Sequence, residues 1–276
     1  MKRNIILEEL CNNIKYMYVT KNIVWNDDVL TEKDKTVLES EANQGTEFDK
    51  LNLKKNLHNS FKEGKAFTIV KKIDNARIVI LTDNQNEFYP WITWYNLFKW
   101  MGNPSTGPLW QIYLYSSKVN RTLPASGPIG AEHLNGGYTY PCTSDCIVIY
   151  RYEEATRVLI HELLHASCTD DNNKIIEHKE AATEAWAELF LISLLSKGNI
   201  SYAYKLWKIQ DHYIQDLNYT VKTFHNVLSH IDYGARYTTL REDVFKQFNI
   251  ILDITYKPKR ITISRFTSPD LDRYLL

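Results

Sequence analysis

His161, Glu162 and His165 stand in the order His-Glu-x-x-His within the stretch RVLIHELLHASC, residues 157–168. Imidazole nitrogens bind zinc at about 2 Å, and a carboxylate beside the metal can take a proton from metal-bound water. On a helix, residues four apart lie about 40° apart around the axis, so both imidazoles leave one face and can meet a single ion. Glu162 lies about 100° from His161, which puts its carboxylate beside the metal rather than on it. Val158, Leu159, Ile160, Leu163, Leu164 and Ala166 make this helix apolar nearly all round, as in a central buried one. Histidines and a carboxylate in such a place each cost on the order of several kcal/mol unless paired. A metal ion is the partner that offsets that cost most directly.

A catalytic zinc takes a third protein ligand and leaves one position for water. The next helical stretch, KIIEHKEAATEAWAELFLISLLSK, offers Glu177, Glu180, Glu184 and Glu188. Glu180, Glu184 and Glu188 share one face at successive i, i+4 steps, and like charges there repel unless something cationic binds them. Spacing admits Glu180 or Glu184 as the third ligand and does not choose between them.

HELLH, followed after eighteen residues by the glutamate of TEAWAELF, resembles the gluzincin metallopeptidases. In that family two histidines come from one helix and a glutamate from the next. The resemblance implies Glu184 as the third ligand of one Zn2+ ion. It also implies that Glu188, four residues on, hydrogen-bonds a ligand histidine and fixes its tautomer. Glu162 becomes the general base of peptide hydrolysis, and a Tyr or His from the helical half stabilises the oxyanion. Candidates for that donor are His225, His230, Tyr233 and Tyr237; the two tyrosines flank a glycine-containing break. Arg236 is a candidate for holding a substrate carboxylate, and His133 for lining the cleft.

The resemblance further implies an extended substrate paired with an edge strand above the metal, a place for Gly136 and Gly137. SGPIGAEHLNGGYTYP reads as a hairpin over 128–141, and a plain tight turn explains both glycines equally well. Thr183 departs from the Asn that gluzincins usually carry there. The stretch NGGYTYP…IVIYRYEEATRVLIHELLH is also similar to predicted metallopeptidases encoded by large DNA viruses.

The elements that must position these residues follow from hydrophobic periodicity. Residues 1–62 read as helices separated by polar turns. KAFTIVKKI and ARIVILTD are short β-rich runs, and PWITWYNLFKW is a helix ending near Gly102. LWQIYLYSSK and CIVIYRY are strands, and a helix follows from about Glu153. The long helix after it stops at Gly198, with further helical segments at 201–217, 220–230 and 239–249 and a β-like KRITISRF. The expected fold is α+β and zincin-like, a mixed sheet packed on the His-Glu-x-x-His helix and then a mainly α-helical half. We expect one catalytic domain over 1–276, with an α+β half through 170 and a helical half from 171.

Composition removes other classes. The 276 residues carry 33 Lys plus Arg and 33 Asp plus Glu, so no global field recruits nucleic acid or an anionic membrane. The first apolar run stops at Glu8, too short for a secretory signal, and no window reaches transmembrane length. Four cysteines are too sparse for a disulfide scaffold, and Cys142 and Cys146 read as reduced thiols, so a cytoplasmic location is expected. The sequence therefore predicts a zinc-dependent peptidase acting on a peptide or protein. The rival reading is a catalytically inactive zincin-fold protein that binds peptides or proteins.

Overall fold

A computed structural model describes residues 3–45, 47–227, 229, 232–250 and 253–275. In chain order the first elements are α1 (Ile5–Met17), β1 (Asn26–Asp27), α2 (Glu32–Asn43), α3 (Leu53–Lys62), β2 (Phe67–Ile73), β3 (Ala76–Thr82), α4 (Trp91–Met101) and β4 (Trp110–Tyr115). Then come α5 (Ala131–Leu134), β5 (Gly137–Thr139), β6 (Ile147–Ile149), α6 (Ala155–Ala166), α7 (Ile176–Leu195), α8 (Ile200–Phe224) and α9 (Thr239–Gln247). They fall in two compact units: residues 19–120 with 135–169, and residues 1–18 with 121–134 and 170–276. The change at 170 lies where the sequence divides its halves, while α1 and residues 121–134 group with the helical unit.

The first unit is built on a six-stranded mixed sheet in the order β1-β2-β3-β4-β6-β5. β2 and β3 are an antiparallel hairpin closed by Asp74 and Asn75. β3, β4 and β6 run parallel, with α4 as the crossover between the first two. β3 is buried at every position, which is why it reads as a continuous apolar run. Side chains alternate along a strand, so β6 serves two faces. Val148 joins Val79, Leu81, Tyr113 and Tyr115 against Leu38 of α2 and Leu57 of α3. Ile147 and Ile149 point the other way, toward the side on which α6 packs. Arg77 on β3 ties the α2 side down, with Nη2 2.7 Å from Asp34 Oδ2 and Nε 2.7 Å from Asp28 Oδ2.

β5 is the sheet edge and pairs antiparallel with β6, Tyr138 opposite Val148. This corrects the expected hairpin over 128–141. Ala131–Leu134 forms a helical turn, neither Gly136 nor Gly137 has a positive φ, and the reversal lies in residues 140–146. The glycines looked like turn residues because composition cannot separate a turn glycine from a strand glycine that permits close approach.

The second unit packs α1, α8 and α9 around α7. Gly198, at φ 73°, ends the α7 segment where an added Cβ would lie 2.4 Å from Lys15 N and 2.5 Å from Cys11 O, so only glycine lets α1 cross there. The segments 201–217 and 220–230 are one helix to Phe224: no Gly or Pro interrupts them, and Thr220 Oγ1 bonds back to Asp216 O at 2.7 Å. KRITISRF forms only an isolated bridge, Ile263 with Thr122, because residues 121–123 are the sole backbone that pairs with it among the described residues. No described helix is long and apolar enough to cross a membrane.

The cysteines depart from expectation. Cys142 is disulfide-bonded to Cys168, and Cys11 and Cys146 are free. The partners are 26 residues apart in sequence, a separation with no signature of its own; the return of the chain along α6 brings them together.

Candidate metal centre

All twelve residues of α6 are buried, which is what its nearly unbroken apolar sequence predicts. The chain enters through Glu154 at φ 59° and leaves through Cys168 at φ 58°. At the exit, Ser167 Oγ donates to Leu163 O at 2.6 Å and Cys168 N to His165 O at 3.2 Å, answering carbonyls that the last turn would leave open. His161 and His165 are each 7% exposed, with ring planes 74° apart and Nε2 atoms 3.0 Å apart. One histidine, histidine and glutamate group could hold a metal ion. His161, His165 and Glu180 each offer one ligand atom, and these atoms all lie within 4.8 Å of one another.

The donor set fits zinc. Two nitrogens bound tetrahedrally at about 2.0–2.1 Å stand roughly 3.3 Å apart, close to the separation of the imidazoles. A carboxylate as third donor leaves a position for water. Glu184 is deeply buried but does not belong to this group, the one such group among the described residues. Fourteen residues, not eighteen, separate His165 from Glu180. Spacing leaves the two glutamates level, and the resemblance to gluzincins favours Glu184.

The crowding of acids on α7 has its cationic answer. Arg236 Nη2 lies 3.3 Å from Glu177 Oε1, and Arg241 Nη1 lies 3.6 Å from Glu188 Oε2. The second pair is completely buried. Glu188, expected to support a ligand histidine, thus has a guanidinium within its reach. Arg236, read as a substrate anchor, neutralises Glu177 and stacks 4.8 Å from the Tyr233 ring centre. Arg241 carries no signal within the helical segment 239–249, and only burial reveals its partner. Thr183 Oγ1 is 3.5 Å from Asp170 Oδ1.

Tyr233 and Tyr237 lie together in a 3-10 turn, ring centres 5.6 Å apart. Burial pushes the Tyr237 phenol well above its ordinary value, and the nearby Glu180 carboxylate raises it further. Tyr237 therefore keeps its proton and lies in the field of the third candidate ligand. His225 is buried with Nδ1 3.3 Å from the distant Gly127 O, and His133 Nδ1 accepts from Gly130 N at 3.0 Å within its own turn. His230 lies outside the described residues.

Gly137 sits directly over α6. A Cβ there would lie 2.6 Å from Val158 Cγ1, 2.8 Å from Val148 O and 3.3 Å from Glu162 Oε1. Gly136 is buried and its carbonyl accepts from Tyr150 N at 2.8 Å. The next residue, Tyr138, points to the opposite face, where its hydroxyl meets Lys54 Nζ and Glu41 Oε2. The edge strand is pinned from one side and spaced from α6 by a missing side chain on the other. No family model, curated protein or solved structure matches the chain.

Proposed function

We propose that this chain is a zinc-dependent peptidase of zincin-like architecture, its metal held by His161, His165 and Glu180. The observation that carries the reading is the convergence of these three ligand groups, two of them in the wall of a fully buried helix. When bound, zinc supplies Lewis acidity and a water of lowered pKa. Glu162, buried next to His161 on α6, accepts the proton of the attacking water and returns it to the leaving amine. The protonated Tyr237 phenol, beside Glu180, donates to the developing oxyanion. The apolar residues of α6 keep bulk water from these groups, strengthening each interaction.

The edge strand β5 supports a peptide as substrate. Among the described residues it has a strand on one side only, so its other edge can pair with an extended chain, and Gly137 adds no side chain between that chain and Glu162.

Protein purified without chelator should carry one zinc per chain and cleave members of a peptide library, read by mass spectrometry. Glu162→Gln should keep the zinc and lose activity by about 10²–10⁴-fold. Zinc bound with no cleavage that Glu162→Gln abolishes would leave a peptide-binding module instead. Absence of zinc would sink the metal reading.

A further inference from the structure

Cys142 follows the edge strand β5, and Cys168 lies three residues beyond His165. Their disulfide joins the 140–146 reversal to the end of the histidine helix. A second bond parallels it, Cys142 N donating to His165 O at 3.1 Å. Both cysteines are solvent-exposed, unlike Cys11, which is fully buried, and Cys146, which is half-buried. An exposed bond beside a ligand helix is a place where the surroundings can act on the site.

We propose that the Cys142–Cys168 disulfide is a reducible clamp: oxidised, it holds the β5–β6 reversal on the end of α6 and secures His165; reduced, it releases both and weakens metal retention. This coupling rests on the metal site proposed above, whereas the clamp itself rests on the disulfide and the His165 carbonyl contact.

The chemistry balances with a dithiol reductant. One thiolate attacks Sγ of either cysteine and breaks the S–S bond, giving a mixed disulfide and one cysteine thiolate. The second thiolate of the reductant displaces the other cysteine. Two electrons pass to the protein, the reductant closes to a cyclic disulfide, and the two protons end on Cys142 and Cys168. Cys146 does not take over either bond. Its side chain points to Glu41 on the far face of the sheet, and burial first, then the Glu41 carboxylate, push its thiol up to about 12. The clamp thus has two states, set by an external thiol.

The test uses the whole chain, loaded with zinc and reduced by a phosphine, since dithiols themselves chelate zinc. A fast thiol reagent should count no exposed thiol before reduction and two after it. Zinc release to a chromogenic chelator should quicken on reduction by on the order of tenfold, the scale on which groups supporting a ligand histidine alter affinity. Cys142→Ser and Cys168→Ser should release zinc at the reduced rate with or without phosphine. Equal release from oxidised and reduced wild type overturns the coupling, and so does a phosphine response that survives in either variant.

Backbone hydrogen exchange separates this from the metal reading. If the oxidised protein binds no zinc, the metal site fails and takes the coupling with it. Residues 140–146 and 165–168 must still exchange faster after reduction. Unchanged exchange there overturns the clamp itself.

Discussion

His161 Nε2 stands 3.0 Å from His165 Nε2, inside a helix with no exposed residue. Without an ion this distance is a hydrogen bond in which one ring donates and the other accepts. With an ion it is the separation of two lone pairs turned to one centre. His161, His165 and Glu180 together form a group that could hold such an ion.

The ligand glutamate is therefore expected to be Glu180. Glu180→Gln should reduce zinc stoichiometry in equilibrium dialysis as severely as His165→Ala, while Glu184→Gln leaves it near one per chain. The reverse order would restore the gluzincin spacing and remove Glu180 from the site.

Gly137→Ala should disturb the edge strand. Its Cβ would meet the Val158 side chain and the Val148 carbonyl at distances real Cβ atoms do not adopt, and a backbone carbonyl cannot swing aside. Overpacking of this kind costs about 1–3 kcal/mol, readable in urea denaturation. Adding Val158→Ala should recover part of the loss, since it removes one obstruction and leaves the other. Full stability of the single variant would show that β5 does not lie so close.

The Glu188–Arg241 pair is buried without residue of exposure on either side chain. Arg241→Met takes the guanidinium away from the buried Glu188 carboxylate and should cost about 3–5 kcal/mol in denaturant unfolding. Glu188→Met with Arg241→Met should return most of it, because neither charge is then buried alone. A double variant as unstable as the single would mean that the loss comes from packing rather than charge.

Acid stability should depend on Asp34. Burial pushes its carboxyl up, but hydrogen bonds from Arg77 and Thr31 outweigh this and hold it at about 2, below its ordinary 3.8. The folded state thus binds this proton less readily than the unfolded chain. The stabilisation is complete above pH 4 and is lost as pH falls through 2. Asp34→Asn should be less stable at pH 6, with a flatter slope between pH 4 and 2. An unchanged slope in pH-dependent denaturation would remove Asp34 from the acid transition.

Sequence by itself determined the features written in local periods. The apolar run of α6 with its His-Glu-x-x-His spacing, the two β-rich runs that form β2 and β3, and the stop of α7 at Gly198 all depend on residues a few positions apart. Spacing alone does not choose the acid that groups with the histidines. Glu180 and Glu184 lie one turn apart on the same face of α7, and periodicity is blind to a shift of one turn. The pairing of Glu188 with Arg241, the Cys142–Cys168 bond, and the placement of Gly137 against Val158 rather than in a turn share that cause. Each joins groups far apart in sequence, and packing, not spacing, brings them into contact.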